Sequence, residues 1–379
     1  MNHDLTAEQS DLVAMVSGLS RRHAADRRGS LDRDLLTTFA AQELGGMALP
    51  TEVGGGGGTL FEAVLAIEAA GRVAPAAGDA LHVLNFGAVR QLAAFAANDV
   101  QRHYLAEILA GEKLVAIAMT EPEAGSAVTE LRCKARLDGE HATITGQKIF
   151  TTNAELADLF VVWARFGDGS RDAGSVLVKR DAPGFTVDTT HRWISGEPYG
   201  VLFLDDCRVP RQNVLLDSDG FAKMLNIFNI ERLGNASRAL ATGQAALDIA
   251  VEHAQERRQF GRRLVEFQGL QWKFAEMSLR LEAARMLLYH AARSSDSGSL
   301  SGSDAALAKL ACNRAGFEVT NTAIAILGGR GLEEDSDLGH LLLRARGWQI
   351  AGGTEEQLLN RIAAGVLGES FPQRPAKVG

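Results

Sequence analysis

The spacing of apolar residues changes twice along these 379 residues, which restricts the chain to helical layers on either side of a β segment. From residue 5 to about 113, Leu12, Val16 and Leu19, then Leu35, Leu36 and Phe39, then Phe61 to Ala70 and Leu105 to Ala110 recur at helical spacing. From about Val115 to Leu216 the pattern is one of short apolar runs between turn residues: Cys133 to Leu137, Ala142 to Ile144, Leu159 to Ala164, Ser175 to Val178 and Val201 to Leu204. Asp138-Gly139 marks a hairpin, because both residue types tolerate positive φ. After Asp217-Ser218-Asp219-Gly220 the helical period returns, with one long Ser/Gly/Asp interruption at Ser294 to Ser303. The expected fold is mainly α with a central β domain, divided as 1–114, 115–219 and 220–379, and no repeat of fixed period runs through it.

The third segment opens with a long helical stretch in which Leu233, Ala236, Leu240, Leu247, Val251 and Ala254 mark a buried face. Glu231 lies near its start and Arg257-Arg258-Gln259-Phe260-Gly261 follows its end. At roughly 1.5 Å per residue a continuous helix separates Glu231 from Arg257 by about 39 Å, more than one extended cofactor bridges. If both residues serve a cofactor, they serve two different copies.

The length suffices for two or three domains with cores that need no cross-links. Cys133, Cys207 and Cys312 are far apart, so neither a disulfide framework nor a thiolate metal site is expected, and a reducing cytoplasm fits best. Met1 to Ser20 is interrupted by Asp4, Glu8 and Asp11 and has no apolar core of the secretory type. No apolar run approaches the roughly 20 residues that span a bilayer. The net charge of −8 argues against nucleic-acid binding, although Arg257 to Arg263 form a local basic patch.

Several segments carry residues suited to ligand binding, each with a plainer structural explanation beside it. The glycine run Gly54 to Gly58 suggests a mobile loop and lacks the Lys-Ser/Thr ending of a phosphate-binding P-loop. Met119-Thr120-Glu121-Pro122-Glu123-Ala124-Gly125-Ser126 offers backbone donors at a sharp turn, or is a Pro-Gly turn entering a strand. Gly146 to Asn153 sets Phe150 beside two hydroxyls, an arrangement that a half-buried strand explains equally well. Arg257 to Gly261, followed by Gln268, suits bidentate phosphate binding or forms a charged helical hairpin. Leu327-Gly328-Gly329-Arg330-Gly331 and Ala351-Gly352-Gly353-Thr354-Glu355-Glu356 are glycine turns adjoining helices. In the second, Thr354 offers an anion or carbonyl site, or simply caps the helix that follows.

In this order, together with Leu49-Pro50 and the closing Ile362-Ala363-Ala364-Gly365-Val366-Leu367-Gly368, these segments resemble the acyl-CoA dehydrogenase family of FAD flavoproteins over almost the whole chain. The resemblance implies an N-terminal helical domain, a barrel-like middle β domain, a C-terminal four-helix bundle, and desaturation of an acyl-CoA thioester. The implied flavin contacts are Met119, Thr120, Gly125, Ser126, Phe150, Thr152, Thr354 and Glu356, with Arg257, Gln259, Phe260, Gln268, Gly328 and Gly329 supplied by a neighbouring subunit. Ser126, Arg232 and Gly353 are the implied substrate contacts. A homodimer or homotetramer is expected, with a heteromer as the variant, and an electron-transfer flavoprotein as the acceptor.

Desaturation requires a base for the α-proton, and a carboxylate in an apolar pocket suits that role. Many family members carry a Glu immediately before the Gly-Thr matched here by Gly353-Thr354, where this chain has Gly352. Others, similar to isovaleryl- and long-chain acyl-CoA dehydrogenases, carry it before an Arg on the long helix, which matches Glu231-Arg232. Glu231 is therefore the expected base, with Arg232 holding the acid or the CoA, or forming an ion pair. Gly352 and Ala351 suggest added room for a branched or bulky acyl group. Ala127, Ala325 and Leu343-Arg344 depart from the family's usual residues around cofactor and subunit contacts. The alternatives are a flavin-dependent monooxygenase on the same scaffold, which needs no α-proton base, and a non-catalytic subunit.

Overall fold

Side-chain caps start most of the N-terminal helices in the computed structural model, which describes residues 5–23, 30–169 and 171–369. Thr6 and Gln9 form a capping box for α1 (Ala7–Ser20), Asp32 caps α2 (Arg33–Ala40), Thr59 and Glu62 box α3 (Leu60–Val73), and Asn98 caps α6 (Asp99–Leu109). Between them lie α4 (Pro75–Asn85), with Pro75 in its first turn, and α5 (Ala88–Phe95). Neither stands out in the sequence, because α4 is rich in alanine and glycine and α5 is only eight residues long.

The glycine run is not the loose loop its composition suggests. The amides of Gly54, Gly55, Gly56, Gly57 and Gly58 donate to the carbonyls of Thr51, Pro50, Gly46, Leu49 and Met47. A Cβ on Gly55 would fall 2.4 Å from the Leu49 carbonyl oxygen, so the run is glycine because backbone packs on backbone. With its amides engaged, the run is not a phosphate cradle.

The β domain comprises β1 (Val115–Ala118), β2 (Lys134–Asp138), β3 (His141–Thr152), β4 (Leu159–Arg165), β5 (Ala173–Lys179), β6 (Phe185–Arg192), β7 (Pro198–Pro210) and β8 (Val214–Leu216). The sheet order is β6-β7-β3-β2-β4-β5-β8, and β1 lies parallel to β4. The β2–β3 hairpin closes at Asp138↔His141, with Gly139 at positive φ as the Asp-Gly signal requires. β6 is missing from the sequence reading because its residues are largely polar and exposed.

Six consecutive residues of β4, Leu159 to Ala164, are buried, which places the strand inside the fold rather than at a solvent-facing sheet surface. Trp163 packs with Leu92, Leu105 and Ile108 of the N-terminal helices and donates its indole N–H to Gln91 Oε1 at 3.1 Å. Arg33 pairs with Asp158 at 2.9 Å, and Gln101 donates to the Gln212 carbonyl at 2.7 Å. These contacts join the N-terminal helices and the sheet in one compact unit, Met1–Gly234.

The second unit, Asn235–Gly379, begins inside α7 (Gly220–Glu256). It contains a short hairpin of β9 (Arg258–Gln259) and β10 (Arg262–Arg263), then α8 (Gln268–Asp296), α9 (Gly302–Leu327), α10 (Asp337–Ile350) and α11 (Glu355–Leu367). Met277, Leu281 and Leu288 of α8, Val319 and Ala323 of α9, and Leu338, Leu341 and Ala345 of α10 are buried. Ser301 and Asp304 form the capping box that ends the Ser/Gly interruption. The architecture is thus a helical N-terminal domain, a central β domain and a helical C-terminal domain. Among the described residues no helix is long and apolar enough to cross a membrane.

Candidate functional site

Two of the sequence segments meet at one end of the sheet. Ile149 N–H donates to the Thr120 carbonyl at 2.9 Å and Lys148 Nζ to the Met119 carbonyl at 3.0 Å, so the Met119–Ser126 turn is tied to the end of β3. Beneath it, Lys148 and Glu121 form a fully buried ion pair at 2.7 Å. Glu121 also accepts the amides of Arg132 and Cys133, so its remaining capacity is used and the buried charge is satisfied. The pairing is invisible in sequence, where Glu121 looks like one of two acids around Pro122. Burial pushes the neighbouring Cys133 thiol up to about 11, which leaves it an inert core residue.

The Met119–Ser126 turn and the strand end leave several polar and aromatic groups open to solvent. Gly125 and Ser126 are exposed, and among the described residues no hydrogen bond engages their amides. Phe150 sits at a register shift between β3 and β7 with φ of 61°, a conformation rarely adopted by a residue with a Cβ. The bulge turns its half-exposed ring onto Trp193 and Tyr199, at 5.1 and 5.3 Å between centroids. Thr152 is exposed on the same strand, whereas Thr151 is buried. Strain of this kind is retained where surrounding structure enforces it, most often at ligand sites.

Glu231 is the twelfth residue of α7, with its side chain only 12% exposed. Its Oε1 is 3.1 Å from Nε2 of His82, in the last turn of α4, which is itself 7% exposed. The His82 ring stacks on Phe86, with centroids 5.6 Å apart and planes within 9°. Arg232 donates to the Asn229 side chain and lies over the Phe228 ring. Successive helical residues point about 100° apart, so Arg232 and Glu231 project from α7 in different directions. His82 had no signal in the sequence, since α4 itself was not recognised there.

In the second unit Gly352 and Gly353 take positive φ values of 71° and 99°. A Cβ on Gly352 would fall 2.8 Å from Asn235 Nδ2 and 3.3 Å from Lys309 Cε. A side chain at position 352 would therefore have to displace Asn235, and the glycine meets a packing requirement of the turn. Lys309 is completely buried and donates to the carbonyls of Trp348 and Gly353, at 3.0 and 3.4 Å, while Asn313 donates to Trp348 at 2.8 Å. Arg238 donates to the Asn235 oxygen and stacks over the Trp348 ring at 3.9 Å. A polar layer thus supports the Gly352–Gly353 turn from below.

Thr354 precedes α11, but its hydroxyl makes no capping bond to the helix amides. Glu356 instead takes a hydrogen bond from its own backbone N–H and one from the Thr354 hydroxyl, which hold its carboxyl below the usual range. Arg257 follows α7 directly, its amide bonded to His253. The segment after it is a β-hairpin rather than a helical one. Phe260 and Gly261 form its tip, both at positive φ, and Phe260 is 92% exposed. Gln268 opens α8, and Gly328 and Gly329 form the turn after α9. Burial and then the charges of Arg330 and Arg257 lower the pKa of His253, so the glycine turn and the hairpin base share one basic neighbourhood. Among the described residues no cluster of three His, Cys, Asp or Glu is arranged to hold a metal ion.

Comparison with known proteins places the chain among FAD-dependent oxidoreductases that act on acyl-CoA. The chain belongs to the acyl-CoA dehydrogenase family: the family's N-terminal, middle and C-terminal domain models match residues 6–112, 116–207 and 218–367. It is 37% identical to a 3-sulfinopropanoyl-CoA desulfinase of Paraburkholderia xenovorans LB400, covering 98% of this chain and 99% of that one. An acyl-CoA dehydrogenase of Bacillus subtilis 168 is 32% identical, covering 93% and 96%. Among solved structures, a glutaryl-CoA dehydrogenase of Mycobacterium smegmatis in complex with FADH2 superposes with a TM-score of 0.90 at 25% identity, covering 97% and 96%. The protein is an oxidoreductase that acts on acyl-CoA, and its cofactor is FAD.

Proposed function

We propose that the chain desaturates an acyl-CoA thioester between Cα and Cβ, with Glu231 as the base that takes the α-proton. The observation that carries this reading is the pair of positions open to a family base. Gly352 stands in a left-handed turn packed against Asn235 and Lys309, while Glu231 is a largely buried carboxylate on α7. Burial disfavours the charged form and so strengthens a carboxylate as a base. Bound FAD supplies the acceptor for the β-hydrogen, which leaves as hydride.

The chain's own residues divide the remaining work. Amides of Gly125 and Ser126, with the Phe150 ring and the Thr152 hydroxyl, would hold the flavin's polar edge and face, with Met119 and Thr120 in the same turn; Thr354 and Glu356 are further proposed cofactor contacts, in the second unit. Arg257, Gln259, Phe260, Gln268, Gly328 and Gly329 would serve the cofactor of a second copy. The 92% exposure of Phe260, at a strained tip, supports such a partner. So do Trp272, Leu279 and Met286, all exposed at seven-residue spacing on α8. A strictly monomeric flavin-loaded protein in light scattering would remove the shared-site reading. Lys309 holds the Gly353 carbonyl and thereby the turn whose amide is offered to the thioester oxygen. An electron-transfer flavoprotein is the proposed acceptor.

Anaerobic titration with a panel of acyl-CoA thioesters tests the base. Wild-type protein should bleach with formation of the 2-enoyl thioester, and Glu231→Gln should bind FAD and stay yellow. Bleaching of the variant at the wild-type rate would remove Glu231 from this role.

The desulfinase relative favours a second reading: hydrolytic cleavage of the carbon–sulfur bond in a 3-sulfinoacyl thioester, in which water supplies the proton to carbon and the oxygen to sulfur. Formation of propanoyl-CoA and sulfite from 3-sulfinopropanoyl-CoA, without net flavin reduction, would support it over desaturation.

A further inference from the structure

We propose that His82 is a positioning residue for the Glu231 carboxylate, a role that rests on the reading of Glu231 as the base. The end of α4 and the turn into α5 reach the carboxylate from two sides. His82 Nε2 lies 3.1 Å from Oε1, within reach of a hydrogen bond donated by the imidazole. On the other side is Gly87, at φ of 64°, where a Cβ would stand 3.5 Å from Oε2. A Cβ there would lie in ordinary van der Waals contact with the second oxygen, and the positive φ is what favours glycine.

Other residues make this approach possible. Gly234 lies three residues after Glu231, on the same side of α7. A Cβ on Gly234 would fall 2.7 Å from Phe86 Cγ and 2.8 Å from His82 Cδ2, so a glycine there admits both rings. Phe86 then stacks flat on the imidazole, and Arg90 covers Phe86 at 5.2 Å. The imidazole is thus held by packing and is a rigid donor. The final torsion of a glutamate side chain is otherwise broad, so an unrestrained carboxylate spends much of its time rotated away from any single line of attack. Fixing Oε1 sets the direction of the lone pairs that take the proton, and a small error in that direction costs rate rather than binding.

The test uses the full-length, FAD-loaded protein with its best acyl-CoA thioester and follows flavin reduction anaerobically by stopped flow. His82→Leu removes the donor and should slow the limiting reduction rate by about 10²-fold while the substrate Kd changes by less than about threefold. His82→Gln keeps an N–H at similar reach and should stay within about tenfold of wild type. His82→Asn carries the donor one methylene short and should be slow like the Leu variant. Wild-type rates in His82→Leu overturn the proposal, as do equal rates in the Gln and Asn variants. The Gln–Asn comparison decides the matter if the Leu variant loses FAD. Glu231→Gln run alongside separates the two ideas. If it reduces the flavin normally, the base assignment fails and the role of His82 with it. If it is inert while His82→Leu is normal, only His82 is removed.

Discussion

Replacing Gly352 by Glu restores the letters that many family members carry before Gly-Thr, yet in this protein it should not restore a base. The residue has φ of 71°, where a Cβ costs roughly 1–2 kcal/mol. That Cβ would meet Asn235 Nδ2 at 2.8 Å and Lys309 Cε at 3.3 Å. Asn235 is 3% exposed and its oxygen is held by Arg238, so moving aside means giving up that hydrogen bond. Overpacking of this kind costs about 1–3 kcal/mol, and the sum is roughly 2–5 kcal/mol. Even if accommodated, the new carboxylate would lie beside the donors of Asn235 and Lys309. The Lys309 ammonium carries a full positive charge, which stabilises the ionised form and makes a weaker base.

The assay is flavin reduction in the double variant Glu231→Gln/Gly352→Glu, with chemical denaturation of Gly352→Glu and Gly352→Ala measured in parallel. Both single variants should be less stable, since Ala already carries the Cβ, and the double variant should remain unbleached. Asn235→Ala, which also deprives Arg238 of its acceptor, should cost less stability in the Gly352→Glu background than in wild type, because there it removes the nearest clash as well. Full bleaching by the double variant at unchanged stability would refute the reasoning. It would mean that the turn at 352 adapts at no cost and that the polar layer beneath it is incidental.

Two further perturbations probe the supports of the site. Lys148→Met leaves Glu121 buried without its cation and should cost about 3–5 kcal/mol in denaturation together with FAD occupancy, whereas Lys148→Met/Glu121→Gln should be milder. Equal losses in the two would show that the pair contributes only packing. His253 has a pKa lowered by burial and by Arg330 and Arg257, so the unfolded chain takes up its proton first as pH falls. Its contribution to stability is therefore present above about pH 6.5 and is lost as pH falls through the unfolded value toward the lower folded one. His253→Gln should flatten the fall in melting temperature between about pH 7.5 and 5.5, and an unchanged slope would remove this assignment.

What was legible in the sequence depended on whether a feature is local. The Asp138-Gly139 hairpin, the strand Leu159 to Ala164 and the long helix after Gly220 all appear as expected, because turn chemistry and apolar period are properties of neighbouring residues. Glu231 was singled out as the expected base by a different route, the family resemblance of its place before Arg232 on that helix. His82 was not, since its significance comes from a contact with a residue far along the chain, made across a helix whose alanine and glycine content hides its period. The same limit explains Gly352. Its glycine reads as a deletion of function and a gain of space until Asn235 and Lys309, distant in sequence, are found against the position its Cβ would take. Glycine runs mislead in the opposite sense at Gly54 to Gly58, where lack of side chains permits backbone packing rather than motion. An absent side chain thus has no single meaning. At Gly234 it admits the rings of α4, and at Gly352 it yields to a polar layer. In each case the neighbour, rather than the glycine, decides what the position does.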